Sequence, residues 1–125
     1  MAEALLEVAG VQSGYGDVRV LWGVDLAVNA GEIVCLVGSN GAGKTTLMRT
    51  ISGLVRATAG TIRFAGADLT QASPKAVLAA GIAHVPEGRR LFSAMSVREN
   101  LLMGAYLRED GAAAVDADLA RMYEI

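Results

Sequence analysis

Cysteine and histidine are almost missing from this chain: Cys35 and His84 are the single examples among 125 residues. A lone thiol builds no disulfide framework. Its place inside the apolar run Glu32-Ile33-Val34-Cys35-Leu36-Val37 predicts a buried structural residue in a reducing compartment, not a redox or metal centre. No uncharged stretch approaches the roughly 18 residues needed to cross a bilayer. Glu3 and Glu7 flank the first apolar positions and no basic residue precedes them, which argues against a secretory signal. Excess positive charge is absent too. The net charge of −2 offers no basic surface for nucleic acid. Repeats, linkers and low-complexity tracts are lacking. These exclusions leave a cytoplasmic protein whose association with a membrane comes through a partner. What remains is 53% hydrophobic with 15 glycines, enough for one compact domain, though a small one for an α/β nucleotide-binding fold.

The stretch that organises the chain is Gly38-Ser39-Asn40-Gly41-Ala42-Gly43-Lys44-Thr45, followed by Thr46. It fits G-x-x-x-x-G-K-[ST], the phosphate-binding P-loop. Glycines let the backbone wrap a triphosphate closely, with N–H groups turned inward and no Cβ in the way. The helix that follows presents its partly positive N-terminus to the same phosphates. Lys44 is expected to reach the β- and γ-phosphate oxygens and the Thr45 hydroxyl to ligate Mg²⁺. The context is right as well. Residues 32–37 read as a buried parallel strand, and Leu47, Met48, Ile51 and Leu54 recur at helical spacing.

Other elements follow from local chemistry. Residues 5–13 alternate loosely as a strand, Gly14 to Asp17 turn, and Val18 to Val28 form a second extended segment, so part of the sheet is expected to be antiparallel. Residues 60–66 form a short strand bounded by glycines. Ser73-Pro74 starts a helix that stops near Gly81, since serine caps and proline suits the first helical position. Residues 82–86, including His84, read as a short apolar strand with His84 packed in it. The Ser96-Val97-Arg98-Glu99 capping box opens a helix to about Tyr106. Gly111 breaks that pattern, and Asp116 to Ile125 is helical again.

Several blocks together resemble one family. Ser13-Gly14-Tyr15-Gly16, Val28 to Ile33, the P-loop, Ile51 to Leu54, Gly60-Thr61-Ile62, Gly81 to Phe92 and Ser96 to Leu101 are similar to the N-terminal half of an ATP-binding cassette (ABC) ATPase. More narrowly, they resemble the LivF-like ATP-binding subunits of branched-chain amino acid importers. The resemblance implies an α/β P-loop NTPase fold, with a mixed sheet that includes an antiparallel β subdomain. It implies one partial nucleotide-binding domain over 1–125, with a helical subdomain starting from about 93. Its cofactors are ATP and Mg²⁺.

The roles it assigns fall on particular residues. Tyr15 matches the aromatic residue that stacks on adenine. Gly38, Ser39, Asn40, Gly41, Ala42, Gly43, Lys44, Thr45 and Thr46 hold the phosphates, with Lys44 also acting in catalysis. Glu87 stands where most of the family has the glutamine of the Q-loop, and a glutamate there is usual in the branched-chain amino acid group. It is expected to serve catalysis and Mg²⁺, alongside Thr45. Arg89 and Arg90 fall where the family's ATPase meets its permease, and the full protein would pair with permease subunits and a second ATPase subunit, peripheral to the membrane's inner face.

The Leu-Ser-Gly-Gly signature, an apolar run ending in Asp-Glu and a late switch histidine do not occur in the 125 residues. With half of the positioning groups, hydrolysis by this chain alone is expected to be negligible. A fragment would also leave Ile33 to Val37 with an unpaired edge and an uncovered apolar face. Rival readings are a nucleotide-binding module that never hydrolyses, the ATPase of a urea or amide importer, and a non-transport ABC protein.

Overall fold

The computed structural model describes residues 4–38, 43–88 and 91–125 and divides into two compact units, Met1–His84 and Val85–Ile125. The first unit contains β1 (Leu6–Tyr15), β2 (Val18–Val28), α1 (Lys44–Ile51), β3 (Ala57–Phe64), β4 (Ala67–Asp68) and α2 (Pro74–Ala80). Its sheet has the order β2-β1-β3-β4, and every neighbouring pair is antiparallel. The expected antiparallel part of the sheet is therefore present.

The central strand β1 owes its loose alternation to a bulge. Its pairing with β2 and β3 shifts register around Ala9 and Gly10, and an inserted residue exchanges the two faces of a strand. Val8 is buried before the shift, and Val11 and Ser13 after it. Gly10 has φ +59°, and its N–H, displaced from the ladder, donates to Asp25 Oδ1 at 2.7 Å. Opposite lies Gly60, with φ +84°, where a Cβ would sit 2.4 Å from the Gly10 carbonyl oxygen. Two glycines meet because two backbones must.

Val8, Val11, Leu21, Leu47, Ile51, Ala57, Ile62 and Leu69 form one buried cluster between the sheet and α1. Ile62, Val8 and Val11 are fully enclosed, and each contributes about 1.5–3 kcal/mol by leaving water. Helix α1 ends at Ile51, with Ser52 as its C-cap. Leu54 N–H donates to Arg49 O and Gly53 N–H to Thr50 O, while Gly53 takes φ +84°, the left-handed closure that glycine permits. Helix α2 has the predicted ends. The Ser73 hydroxyl accepts from Ala76 N–H, Pro74 opens the helix, and Gly81 closes it.

Three expectations are corrected. Residues 32–38 have no regular structure, and among the described residues no strand pairs with them. A parallel strand depends on flanking ladders and on two covered faces. No described strand lies parallel beside this stretch, and it has the unpaired edge and uncovered apolar face expected of a fragment, with Ile33 93% and Val37 95% exposed. Cys35 is exposed with it, not buried. Residues 82–86 are likewise not a strand. His84 is half-buried, its Nδ1 3.2 Å from Ser52 Oγ.

The second unit contains α3 (Val97–Met103) and α4 (Ala112–Tyr123), the latter beginning four residues earlier than the periodicity indicates. The capping box is formed in full. Ser96 Oγ accepts from Glu99 N–H, and Glu99 Oε1 accepts from Ser96 N–H. Asn100 holds the preceding loop to α3, donating to the carbonyls of Phe92, Met95 and Ser96 and accepting from Phe92 N–H. Arg108 bridges Asp110 and Asp118 across the turn before α4.

The glycine pairing at the bulge has a measurable consequence. Gly66→Ala, at φ +84° with open space around it, is expected to cost about 1 kcal/mol of left-handed strain. Gly60→Ala adds a collision with backbone and is expected to cost about 3 kcal/mol. Denaturant unfolding followed by circular dichroism compares the two.

Candidate functional site

The site is assembled from the end of β1, the adjoining part of β2 and the start of α1. Gly43 caps α1 with φ 96°, and a Cβ there would lie 3.0 Å from Leu21 Cδ2 and 3.5 Å from Val20 Cγ1. A side chain there would press on the ends of Leu21 and Val20 and would strain the left-handed φ, so glycine is the residue that fits where the helix N-terminus meets the strand. No side chain caps the first turn and no acidic residue stands in it. Its N–H groups and its share of the helix dipole are offered outward, as an anion requires.

Lys44 lies at that turn, and its ammonium donates to the carbonyl oxygen of Gly38 at the other end of the loop. Thr45 is exposed, its hydroxyl available to a hard cation. Thr46 is buried and turns inward, and its hydroxyl is 3.3 Å from the Tyr15 hydroxyl. Tyr15 closes β1 beside the hairpin turn, paired with Val18, and is 44% exposed. Arg49, one turn along α1, donates from Nη1 to the same phenol oxygen at 3.1 Å. The Thr46 hydroxyl first, and then the Arg49 guanidinium, hold the Tyr15 phenol below its ordinary pKa.

Beneath this lies a second set of hydroxyls. Thr50 Oγ1 donates to the Thr46 carbonyl at 2.7 Å, so the 2.8 Å bond between Ser13 and Thr50 must take its proton from Ser13. Both side chains are buried, and no buried side-chain nitrogen or oxygen among the described residues lacks a partner. Ser13 and Tyr15 on one strand are thereby tied to Thr46, Arg49 and Thr50 on one helix.

The structure brings together Tyr15, Gly38, Gly43, Lys44, Thr45 and Thr46. Ser39, Asn40, Gly41 and Ala42 lie outside the described residues, as do Arg89 and Arg90. Glu87 belongs to the second unit and is exposed there. Among the described residues no cluster of three or more His, Cys, Asp or Glu is placed to hold a metal ion. A cation at Thr45 would need its remaining ligands from phosphate and water, as Mg²⁺ commonly arranges. The donors present fit a phosphate with such a cation. Sequence reasoning missed Ser13, Arg49 and Thr50. The signal for Thr50 was its spacing from Thr46, a polar pair on the face that Leu47 and Ile51 bury.

Comparison with known proteins places this geometry. Residues 21–125 match the family described as ABC transporter. The high-affinity branched-chain amino acid transport ATP-binding protein BraG of Pseudomonas aeruginosa is 40% identical over 114 residues, 91% of this chain and 49% of that protein. The ribose import ATP-binding protein RbsA 2 of Escherichia coli O157:H7 is 39% identical over 107 residues, 86% of this chain and 21% of that protein. The crystal structure of a nucleotide-free ATP-binding cassette from an ABC transporter superposes with a TM-score of 0.75 at 28% identity, covering 90% of this chain and 44% of that one. The chain thus spans about half the length of the first relative and about a fifth of the second.

The hydroxyl contacts predict a titration. A phenol whose pKa is depressed by folding releases its proton first in the folded state, so its stabilising contribution grows as pH rises through the folded pKa. Thr46→Val removes the larger cause. It is expected to move the titration of one of the three tyrosines upward, read from phenolate absorbance.

Proposed function

The chain belongs to the ABC transporter family, and we propose that it is the ATP-binding half of an importer's ATPase, acting with Mg²⁺. The observation that carries this is the junction of Gly43, Lys44 and Thr45, an uncapped helix start that holds a cation at the mouth of a glycine loop. In the proposed site Lys44 leaves Gly38 to pair with the β- and γ-phosphates. The first-turn N–H groups bind the phosphate oxygens, as do those of the loop from Ser39 to Ala42. Thr45 holds Mg²⁺, which neutralises phosphate charge when bound. The exposed ring of Tyr15 offers a face on which adenine stacks. For Glu87 the proposed role is that of the family's Q-loop residue, a carboxylate serving Mg²⁺ and the hydrolytic step.

The transported substrate is proposed to be a branched-chain amino acid. Support comes from the match to BraG, which extends over 49% of that protein, and from a glutamate at position 87. Similarity to a ribose import protein at 39% identity favours a second reading, a sugar importer. The proposed partners are membrane permease subunits and a second ATPase subunit, with the protein peripheral on the cytoplasmic face. No helix of the described residues is long and apolar enough to cross a membrane.

Lys44→Ala removes a charge-assisted contact to two phosphates and is expected to weaken Mg·ATP binding about 100-fold or more. Calorimetry on the purified chain measures it, and unchanged affinity overturns the phosphate assignment. The substrate is tested by exchange. A chimera with residues 1–125 in place of the matching half of BraG is expected to restore leucine uptake, and the same exchange into RbsA 2 to leave ribose uptake absent.

A further inference from the structure

We propose that Arg49 is a positioning residue for the nucleotide base, setting the angle of the Tyr15 ring through its hydroxyl. The inference rests on the reading that Tyr15 stacks the base. A stacking platform is useful only if its plane is fixed before the ligand arrives, because ordering a loose ring on binding costs affinity. Tyr15 sits at the end of β1, next to a tight hairpin turn, with 44% of its surface in solvent. Packing alone therefore leaves the ring partly loose, and its hydroxyl is the one polar handle it has.

That handle is held on two sides by a single helix. Arg49 Nη1 donates to it at 3.1 Å, and the Thr46 hydroxyl lies 3.3 Å away. Arg49 is a donor that never gives up its proton, and the Thr46 hydroxyl meets the same phenol oxygen from the other side. Thr46 is buried and follows directly on the residues that face the phosphates. Among the described residues Arg49 makes no ion pair, and its guanidinium donates to the Tyr15 hydroxyl. One short helix then fixes both ends of the ligand, the phosphates by its N-terminus and the base by a side chain one turn further on. Phenylalanine would supply the same π face without the handle, so the hydroxyl is a working part of the platform.

The test separates base from phosphate. Affinities for Mg·ATP and for Mg·tripolyphosphate are measured by calorimetry on the wild-type chain and on Arg49→Met, Tyr15→Phe, the double variant and Tyr15→Ala. Melting temperatures are taken alongside. Arg49→Met and Tyr15→Phe are each expected to lower the ratio of ATP to tripolyphosphate affinity about 3- to 10-fold. The double variant is expected to lose no more than either single, since both break one contact. Multiplicative losses in the double variant overturn the inference. So does an Arg49→Met chain that loses affinity for both ligands alike, which marks a bulk electrostatic effect. If Tyr15→Ala lowers the ratio and Arg49→Met does not, the base platform stands and the role of Arg49 falls. An unchanged ratio in Tyr15→Ala removes the platform itself, and the inference with it.

Discussion

The buried hydrogen bond between Ser13 and Thr50 is the join on which the site depends. It crosses from β1 to α1 through an otherwise apolar cluster, and low polarity around it makes a missing partner costly. The two hydroxyls accept few helix orientations, whereas Leu47 and Ile51 against the sheet accept many. Apolar burial supplies the attraction and the hydroxyl pair supplies the register. Once α1 is set, Gly43 meets β2, Lys44 meets Gly38 and Thr46 meets Tyr15. The geometry of the proposed phosphate site follows from a helix being placed to within a fraction of a turn.

The sheet that receives this helix is shaped by a defect. The bulge at Ala9 and Gly10 turns β1 so that Val8, Val11 and Ser13 all face inward, although their spacing is not uniformly even. Without it, either Ser13 would leave the helix or Val8 would leave the core. Asp25 satisfies the N–H that the bulge frees, and Gly60 makes room on the neighbouring strand. Asp25 and Gly60, far apart in the chain, therefore both serve the irregularity at Gly10.

Legibility in the sequence followed the range of the interaction concerned. The ends of α2 and α3 were readable because Ser73, Pro74, Gly81, Ser96 and Glu99 act within one turn of helix. The hairpin of β1 and β2 was readable from turn residues and alternation. The start of α1 at Lys44 was readable because the spacing of Gly43, Lys44 and the apolar positions after them marks a helix that follows a glycine-rich stretch. Residues 32–37 were misread because an apolar run states an appetite for burial without naming what does the burying. The same holds for 82–86 and for Cys35. Ser13, Thr50 and Arg49 were silent because a hydroxyl or a guanidinium acquires meaning here only from a partner more than thirty residues away.

The contact between Lys44 and the Gly38 carbonyl has a further meaning. A cation already solvated by its own loop does not meet an anion with its full attraction, because one acceptor is traded for another. Binding becomes an exchange reaction, and its net enthalpy is the difference between two hydrogen-bonded states. The loop thereby acts as an internal competitor whose concentration never changes. For the proposed ligand it sets a threshold that a single weakly charged oxygen would not cross and that several phosphate oxygens, engaging lysine, helix end and hydroxyl together, would. In the proposed site, selectivity for polyphosphate over small anions would come from the contact Lys44 gives up as much as from the contacts it gains.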